Sequence, residues 1–568
     1  MELFTEEQSR QLVEQGWWSD ITWSDCLAAA VAAHPDRTSL VDAPNRSAFT
    51  RGEPRSLTWA EVDTEVRRLR TALHELGVRQ GGVAAVQLPN VVELPIALVA
   101  AAGLGAVVVP LPVQYRSHEL ARMCELAEVE VFVTTRLVAG RDLAAEALPL
   151  LAQVPSLRAV AAFGGEPTDD RIVDLDDTGW VADAAQAEAY VAGLTLRSKD
   201  PVTIVWTSGT EGFPKGVPRA YGEWEVLGTA CGESARVTAA DILLNPFPMV
   251  NGGGLAAMFM AWLLYGATLV QHQPFDLDVF CGQIDEHQVT YTCAPPPVLN
   301  AVVSGDGVDY DLSSLRAVSS GSAPLAGWMI EAWERGRGVE VLNLFGSNEG
   351  GMLFSEPETL PDPSQRGRLF PRYGIAEMPY RTSVARAMSL RLVDLETGAE
   401  VTGPGVPGEL RLKGPAIFSG YLGLGRSGFD DDGWFCTGDV FEVSAEDPRL
   451  LVHVDRAKDL IVRGGFKISA AEIEAIVGAD RRVGEVAAVA EPDQRLGERL
   501  CLFVVPADPA RPPSLDDVIG IVREADVAKF KWPERLEIVD ALPRNAIGKV
   551  LKRELRERLR SEVKEGSV

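Results

Sequence analysis

The chain has 568 residues, 46% of them hydrophobic and 24% charged, an ordinary globular balance with material for about three to four domain-sized units. Its 54 basic and 81 acidic side chains give a formal charge of −27, which argues against non-specific nucleic-acid binding and against an anionic membrane surface. An anionic small molecule remains admissible, because a local basic cluster can face a site on an otherwise acidic protein.

Seven cysteines, at 26, 124, 231, 281, 293, 436 and 501, form no Cys-x-x-Cys and are odd in number. They point to reduced thiols and a cytoplasmic location rather than to a disulfide framework. The six histidines are scattered, and neither His-Glu-x-x-His nor Gly-x-Ser-x-Gly occurs, so a zinc hydrolase or a nucleophile-elbow esterase has no support. Met1 to Trp18 has early Glu and Gln and no basic n-region, so no signal peptide is expected.

In chain order, Thr58-Trp59-Ala60-Glu61 is a capping box, and Leu69, Leu73 and Leu76 recur at helical spacing until Gly77. Val83 to Val86 reads as a strand and Glu93 to Ala102 as a helix. Residues Pro95 to Pro112 are apolar enough to raise a membrane question. Gly103 and Gly105 divide them, so helix, turn and buried strand (Ala106 to Val109) are predicted and no integral membrane segment. A helix over Glu119 to Ala127 and a strand over Val129 to Thr134 follow. Residues 138 to 195 carry weak periodicity and are read as one helix, one strand and surface connections.

Val202 to Trp206 is a β-branched and aromatic run that leads into Thr207-Ser208-Gly209-Thr210-Glu211-Gly212-Phe213-Pro214-Lys215-Gly216. Three glycines, three hydroxyls and one ammonium suit a polyphosphate. The spacing is not that of the common nucleotide P-loop, because Pro214 stands where the second glycine would be. Alternation then resumes, with strands at Ala267 to Val270, Val289 to Cys293 and Leu315 to Val318, and helices at Leu277 to His287 and Trp328 to Arg335. This order predicts an α/β fold with parallel-rich sheets flanked by helices.

From about residue 385, short strands (Ser389 to Val393, Glu409 to Leu412) between Gly/Pro turns predict a small β-rich subdomain. Gly403 to Gly408 and Gly423 to Gly428 match Gly-x-Gly-x-x-Gly, but no helix follows either, so both are read as turns. Beyond Asp455 comes an α+β pattern. Its helices are Ala470 to Val477, Ser514 to Glu524 and a charged one from Val550 to about Val563; its strands are Glu485 to Ala490, Leu500 to Val505 and Arg535 to Val539. A boundary is expected at Asp455 to Asp459, giving 1–455, a hinge at 456–458, and a smaller hinged domain at 459–568.

Three further groups carry chemistry. Ser319-Ser320-Gly321-Ser322-Ala323-Pro324 and Asn343-Leu344-Phe345-Gly346-Ser347-Asn348-Glu349-Gly350 are each read as following a strand, where open α/β sheets bind ligands. Phe345 can flank a base and Glu349 can hold a hard cation such as Mg²⁺. Gly433 to Asp439 reads as a turn whose Asp439 can accept from both ribose hydroxyls.

Together these motifs resemble the AMP-forming adenylating superfamily of acyl-CoA synthetases, adenylation domains and beetle luciferases, over nearly the whole chain. Thr207 to Gly216 resembles its phosphate loop, Ser320 to Leu325 its Gly-Gly-Ala-Pro-Leu stretch, and Phe345 to Glu349 its Tyr-Gly-x-Thr-Glu motif. Gly408-Glu409-Leu410 through Gly420-Tyr421, Thr437-Gly438-Asp439, Asp455-Arg456-Ala457-Lys458-Asp459 and Pro543 to Lys549 continue the match in family order.

The resemblance implies ATP, Mg²⁺ and CoA. Thr210 and Glu349 would position the metal; Thr207, Ser208, Gly209, Thr210, Glu211 and Lys215 would handle phosphates. Gly321, Ser322, Ala323, Asn343, Phe345, Gly346 and Asn348 would surround AMP, with Asp439 and Arg456 at the ribose. Asn251, Gly321 and Gly350 would border the acyl group; Arg463, Gly464, Gly465 and Lys467 would meet CoA. Lys549 would bridge the carboxylate and the α-phosphate, and the smaller domain would swing about Lys458 between half-reactions.

The sequence departs from the family at Asn251 (often His), Asn348 (usually Thr), Asn545 (a Thr), Cys436 (commonly basic) and Val462 (Lys in some members). The implied activity is an AMP-forming acyl-CoA synthetase for a hydrophobic acid. A medium-chain, alicyclic or bulky acid is expected, because Asn251-Gly252-Gly253-Gly254 offers little side-chain bulk. The alternative is transfer to a carrier-protein thiol or an amine. A homodimer is allowed for.

Overall fold

The computed structural model describes residues 1–165, 168–181, 184–207, 214–305, 310–321, 325–463, 466–493, 495–525, 527–545 and 549–565. Thr58 caps the helix Trp59–Glu75 as a full capping box. Its Val62, Val66, Leu69 and Leu73, spaced at three to four residues, face inward and pack on the helix Glu93–Gly103. That second helix is buried on every side, which is why its sequence is apolar all round. Among the described residues, no helix is long and apolar enough to cross a membrane.

Two parallel-rich sheets make up the large N-terminal domain. One has eight strands; its six inner strands, from Glu340–Gly346 through Ala317–Gly321, Tyr291–Cys293, Ile242–Asn245 and Thr268–Gln271 to Thr38–Val41, run parallel. Antiparallel strands Met352–Ser355 and Ser56–Thr58 close its edges. The other, of seven strands, carries Pro201–Trp206 next to Val107–Pro110, with Gly216–Ala220 antiparallel at the edge. The α/β architecture expected from the alternation is the one observed.

Most elements lie within one or two residues of the expected bounds, and Leu277–His287 and Ala470–Val477 coincide with them. Between 138 and 195 the structure is richer than expected. The short helices Leu143–Ala147, Leu150–Gln153 and Ala184–Ala192 accompany strands Ala159–Phe163 and Ile172–Asp174. Elements of one or two turns contain too few apolar repeats to show a period.

The β-rich subdomain is an antiparallel six-stranded sheet and begins earlier than expected. Leu369–Pro371 pairs with Leu450–Val452, a partner some eighty residues away that no local pattern reveals. Gly403 to Gly408 and Gly423 to Gly428 are turns, with left-handed φ at Gly405, Gly423, Gly425 and Gly428. The C-terminal strands Ile461–Arg463, Phe466–Ile468, Val483–Asp493, Gly497–Pro506 and Arg535–Ile538 form a separate sheet with its own buried core.

Candidate active site

The phosphate-type loop is drawn shut at its base. Thr207 N–H donates to the Lys215 carbonyl at 3.0 Å, and Lys215 N–H donates to Thr207 Oγ1 at 3.1 Å. Ser208, Gly209, Thr210 and Glu211 lie outside the described residues, as do Ser322, Ala323, Gly464 and Gly465; the side chain of Lys467 does too. Two motifs read as lying beyond strands are in fact partly inside them. Ser319 to Gly321 completes the strand Ala317–Gly321, and Asn343 to Gly346 completes Glu340–Gly346. The parallel register continues through these polar residues because Gly321 lets the chains close: a Cβ there would sit 2.2 Å from the Leu344 carbonyl oxygen. Asn343 is buried and donates to the carbonyls of Arg366 and Gly367.

Glu349 is held by a strap, residues 415–422. Phe418 N–H donates to the Glu349 carbonyl at 3.0 Å, and the Tyr421 hydroxyl donates to Glu349 Oε1 at 2.8 Å. Lys215 Nζ stands 4.7 Å from the centroid of the same Tyr421 ring, and Leu422 N–H donates to the Gly216 carbonyl. Burial, followed by the charge of Glu349, raises the Tyr421 hydroxyl far above a tyrosine's ordinary value, so it stays a donor. Tyr421 thus joins the phosphate-loop lysine to the candidate metal carboxylate. The expected motif contained this residue but gave it no role; its spacing from Glu349 in sequence conceals the contact.

Asn348 ties two loops together. Its Oδ1 accepts from Gly252 N–H at 2.8 Å and its Nδ2 donates to the Trp206 carbonyl at 2.9 Å. Asn251 accepts from Gly254 N–H and starts the turn that runs into Leu255–Met260. Of the glycines there, Gly254 is required by backbone packing, since a Cβ would meet the Pro248 carbonyl oxygen at 2.3 Å. Gly252 and Gly253 meet nothing closer than 3.4 Å.

Asp439 is not in a turn; it lies within the antiparallel strand Phe435–Val443, directly across from Arg456. Arg456 Nε lies 3.0 Å from Oδ1 and Nη2 3.4 Å from Oδ2. Burial works to raise the Asp439 carboxyl, but His453, Arg456 and Lys549 outweigh it and hold the group below the usual carboxylate range. Phe345 stands nearby, edge-to-face with Phe441 at 5.2 Å and tilted to His453 at 6.1 Å.

Lys549 reaches this cluster from the C-terminal region. Asn545 shapes its loop: Asn545 N–H donates to the Lys549 carbonyl at 2.9 Å and Lys549 N–H donates to Asn545 Oδ1 at 2.8 Å. Burial, then the charge of Arg456, pulls the Lys549 ammonium down to about 8, with Lys458 adding to this and Asp439 and Asp459 opposing it. The Lys458 carbonyl accepts from Arg556 Nη2 at 3.2 Å, and Arg556 also pairs with Asp459. Arg463 is engaged inside the C-terminal region, donating to the Phe530 carbonyl at 2.6 Å and to Glu534 at 2.7 Å. Two of its guanidinium nitrogens, Nη1 and Nη2, are thus engaged within the C-terminal region.

Glu349, Lys215, the Arg456-held Asp439 and the half-buried Lys549 thus lie around one region. Glu349 suits Mg²⁺ chemically, being an oxygen donor held by a neutral hydroxyl with no cation of the protein in an ion pair with it among the described residues.

Known proteins are similar to this chain over nearly its whole length. The model of the AMP-binding enzyme family matches residues 27–422, and that of the AMP-binding enzyme C-terminal domain matches 472–549. Pyochelin synthase PchD of Pseudomonas aeruginosa strain UCBPP-PA14 is 31% identical over 98% of this chain and 95% of its own length. The medium-chain fatty-acid–CoA ligase of Escherichia coli K12 is 27% identical over 97% and 92%. The structure of ATP-bound MatB from Rhodopseudomonas palustris aligns with a TM-score of 0.76 at 25% identity, covering 94% of this chain and 98% of that one.

Proposed function

Because this chain belongs to the AMP-binding enzyme family, we propose that it is an ATP-dependent ligase that adenylates a hydrophobic carboxylic acid and passes the acyl group to CoA. The observation that carries this reading is Lys549, a C-terminal ammonium brought beside Asp439 and its strand partner Arg456. In the first half-reaction a carboxylate oxygen attacks the α-phosphorus of ATP, and the bond to pyrophosphate breaks. Both reactants are anions, so fixed cations must spread the charge. Lys549 stands between carboxylate and α-phosphate, while Lys215 and the hydroxyls of its loop hold the leaving pyrophosphate. Glu349, with Thr210, would hold Mg²⁺, which supplies further neutralisation of the polyphosphate. Asp439, kept ionised and oriented by Arg456, accepts from the ribose hydroxyls, and Phe345 flanks the base.

In the second half-reaction a thiol sulfur attacks the acyl carbon and AMP leaves. A swing of residues 459–568 about Lys458 would withdraw Lys549 and bring Gly464 and Gly465 to the thiol path. The medium-chain specificity of one relative and the low bulk at Gly252 and Gly253 support a medium-chain, alicyclic or bulky acid. A second reading, transfer to a carrier-protein thiol or an amine, is favoured by the engagement of Arg463, which leaves one cation fewer for the phosphates of CoA. Pyrophosphate and AMP release, measured with ATP, Mg²⁺ and a panel of acids with and without CoA, decides between them. Acid-dependent pyrophosphate release with acyl-CoA formation is expected. Release that never yields acyl-CoA favours the second reading, and no release with any acid overturns both.

A further inference from the structure

Arg219, in the edge strand Gly216–Ala220, is fully buried, and so is its partner Glu223 at 3.0 Å, in the first turn of the helix that follows. A charge pair of this kind is costly to desolvate and often adds nothing to stability. Arg219 also has two donors, Nε and Nη2, with no hydrogen-bond partner among the described residues. Its remaining bond is specific: Nη1 donates to the Ala416 carbonyl at 2.7 Å. Ala416 belongs to the strap that holds Glu349 by Phe418 N–H and the Tyr421 hydroxyl, and that touches the phosphate loop at Lys215 and Gly216.

The fit behind Glu349 is tight. At Gly350 a Cβ would stand 1.8 Å from the Ala416 carbonyl oxygen and 2.8 Å from Arg219 Nη2. Glu223 Oε1 accepts from the same Nη1 and helps fix the guanidinium, while its second oxygen accepts from Ala220 N–H at 2.6 Å. The strap's first residue is anchored separately, with Trp18 Nε1 donating to the Pro415 carbonyl.

We propose that Arg219 is a positioning residue for the adenylation site. By holding the Ala416 carbonyl, it sets the strap that aims the Glu349 carboxylate and seats Lys215 against Tyr421. The inference rests on the reading of Glu349 as a metal ligand.

Arg219→Met alone would leave Glu223 unpaired in the core, so the test uses the double variant Arg219→Met/Glu223→Leu, which removes both charges. Arg219→Lys, which keeps the cation but not the planar fork, is the second variant. The readout is the Mg²⁺ concentration for half-maximal acid-dependent pyrophosphate release, beside metal-free AMP binding by equilibrium dialysis. Binding of Mn²⁺ in the presence of ATP, followed by electron paramagnetic resonance, reads the same property without turnover. The half-saturating metal concentration should rise roughly five- to tenfold in the double variant, and by less in Arg219→Lys, while AMP affinity stays within about twofold. A purely structural role would lower thermal stability and leave the metal response where it was. Unchanged Mg²⁺ and Mn²⁺ responses in both variants overturn the proposal. A parent protein that binds Mn²⁺ with ATP but releases no pyrophosphate would instead count against the proposed reaction.

Discussion

The Tyr421 hydroxyl donates to Glu349 Oε1 at 2.8 Å across a sequence separation of 72 residues, and its ring carries Lys215 Nζ on one face at 4.7 Å. One side chain therefore couples the phosphate loop to the candidate metal carboxylate. Tyr421→Phe keeps the ring and removes only the bond to a charged oxygen, a loss of about 1.5–3 kcal/mol. Pyrophosphate release at limiting Mg²⁺ should fall roughly ten- to a hundredfold, with recovery at high Mg²⁺. Unaltered Mg²⁺ dependence would show that the bond does not orient Glu349.

Lys549 gives a pH signature. Its ammonium loses a proton near pH 8 in the folded protein, against an ordinary lysine value of 10.5. Between these values the folded form binds fewer protons than the unfolded chain, so the cost of burying the charge is full below 8 and is relieved as pH rises. Activity follows the charge in the opposite sense: kcat/KM for adenylation should decline above about pH 8. The limb in kcat should lie higher, because bound anions favour the ammonium. Lys549→Ala should abolish adenylation while leaving thioester formation from a supplied acyl-adenylate largely intact. Equal loss of both half-reactions would contradict the domain swing.

Gly350 combines a φ of +99° with a Cβ position 1.8 Å from the Ala416 carbonyl oxygen. Gly350→Ala must move the backbone behind Glu349, at a cost of about 1–3 kcal/mol or more. A lower melting temperature together with loss of adenylation is expected. Gly403→Ala is the comparison, since nothing lies within 4 Å of that position and its φ is not left-handed. Equal behaviour of the two variants would remove the steric argument.

Asn348 links Gly252 to Trp206 through opposite ends of one amide. Asn348→Ala frees both loops, so KM should rise roughly fivefold for the acid and for ATP alike. Asn348→Asp should be worse, because it replaces the donor to the Trp206 carbonyl with a second acceptor. A change confined to one substrate would mean that the amide serves a single loop.

Much of the fold was legible because its signals are local. The capping box at Thr58 and the 3.6-residue spacing behind it fix one helix, and the alternation of strand and helix fixes the parallel sheets. The motifs around Glu349, Asp439 and Lys549 were legible as types of chemistry. Three features were not. Asp439 reads as a turn residue because glycine precedes it, yet pairing with Arg456 draws it into a strand. Arg463 reads as a free cation, and only the fold supplies Glu534 and the Phe530 carbonyl. Arg219 stands in no motif, and only packing against the strap and Trp224 leaves it with no exposure.

The sequence by itself determined the pattern from Thr207 to Gly216 and the family, because each motif is written within about ten consecutive residues and the motifs follow one another in order along the chain. The tertiary structure alone decided how that loop is served. Its Lys215 meets Tyr421, Tyr421 meets Glu349, and Arg219 holds the strap that carries Tyr421. The physical reason is separation along the chain: a hydrogen bond between residues 72 or 197 positions apart leaves no period and no spacing to read.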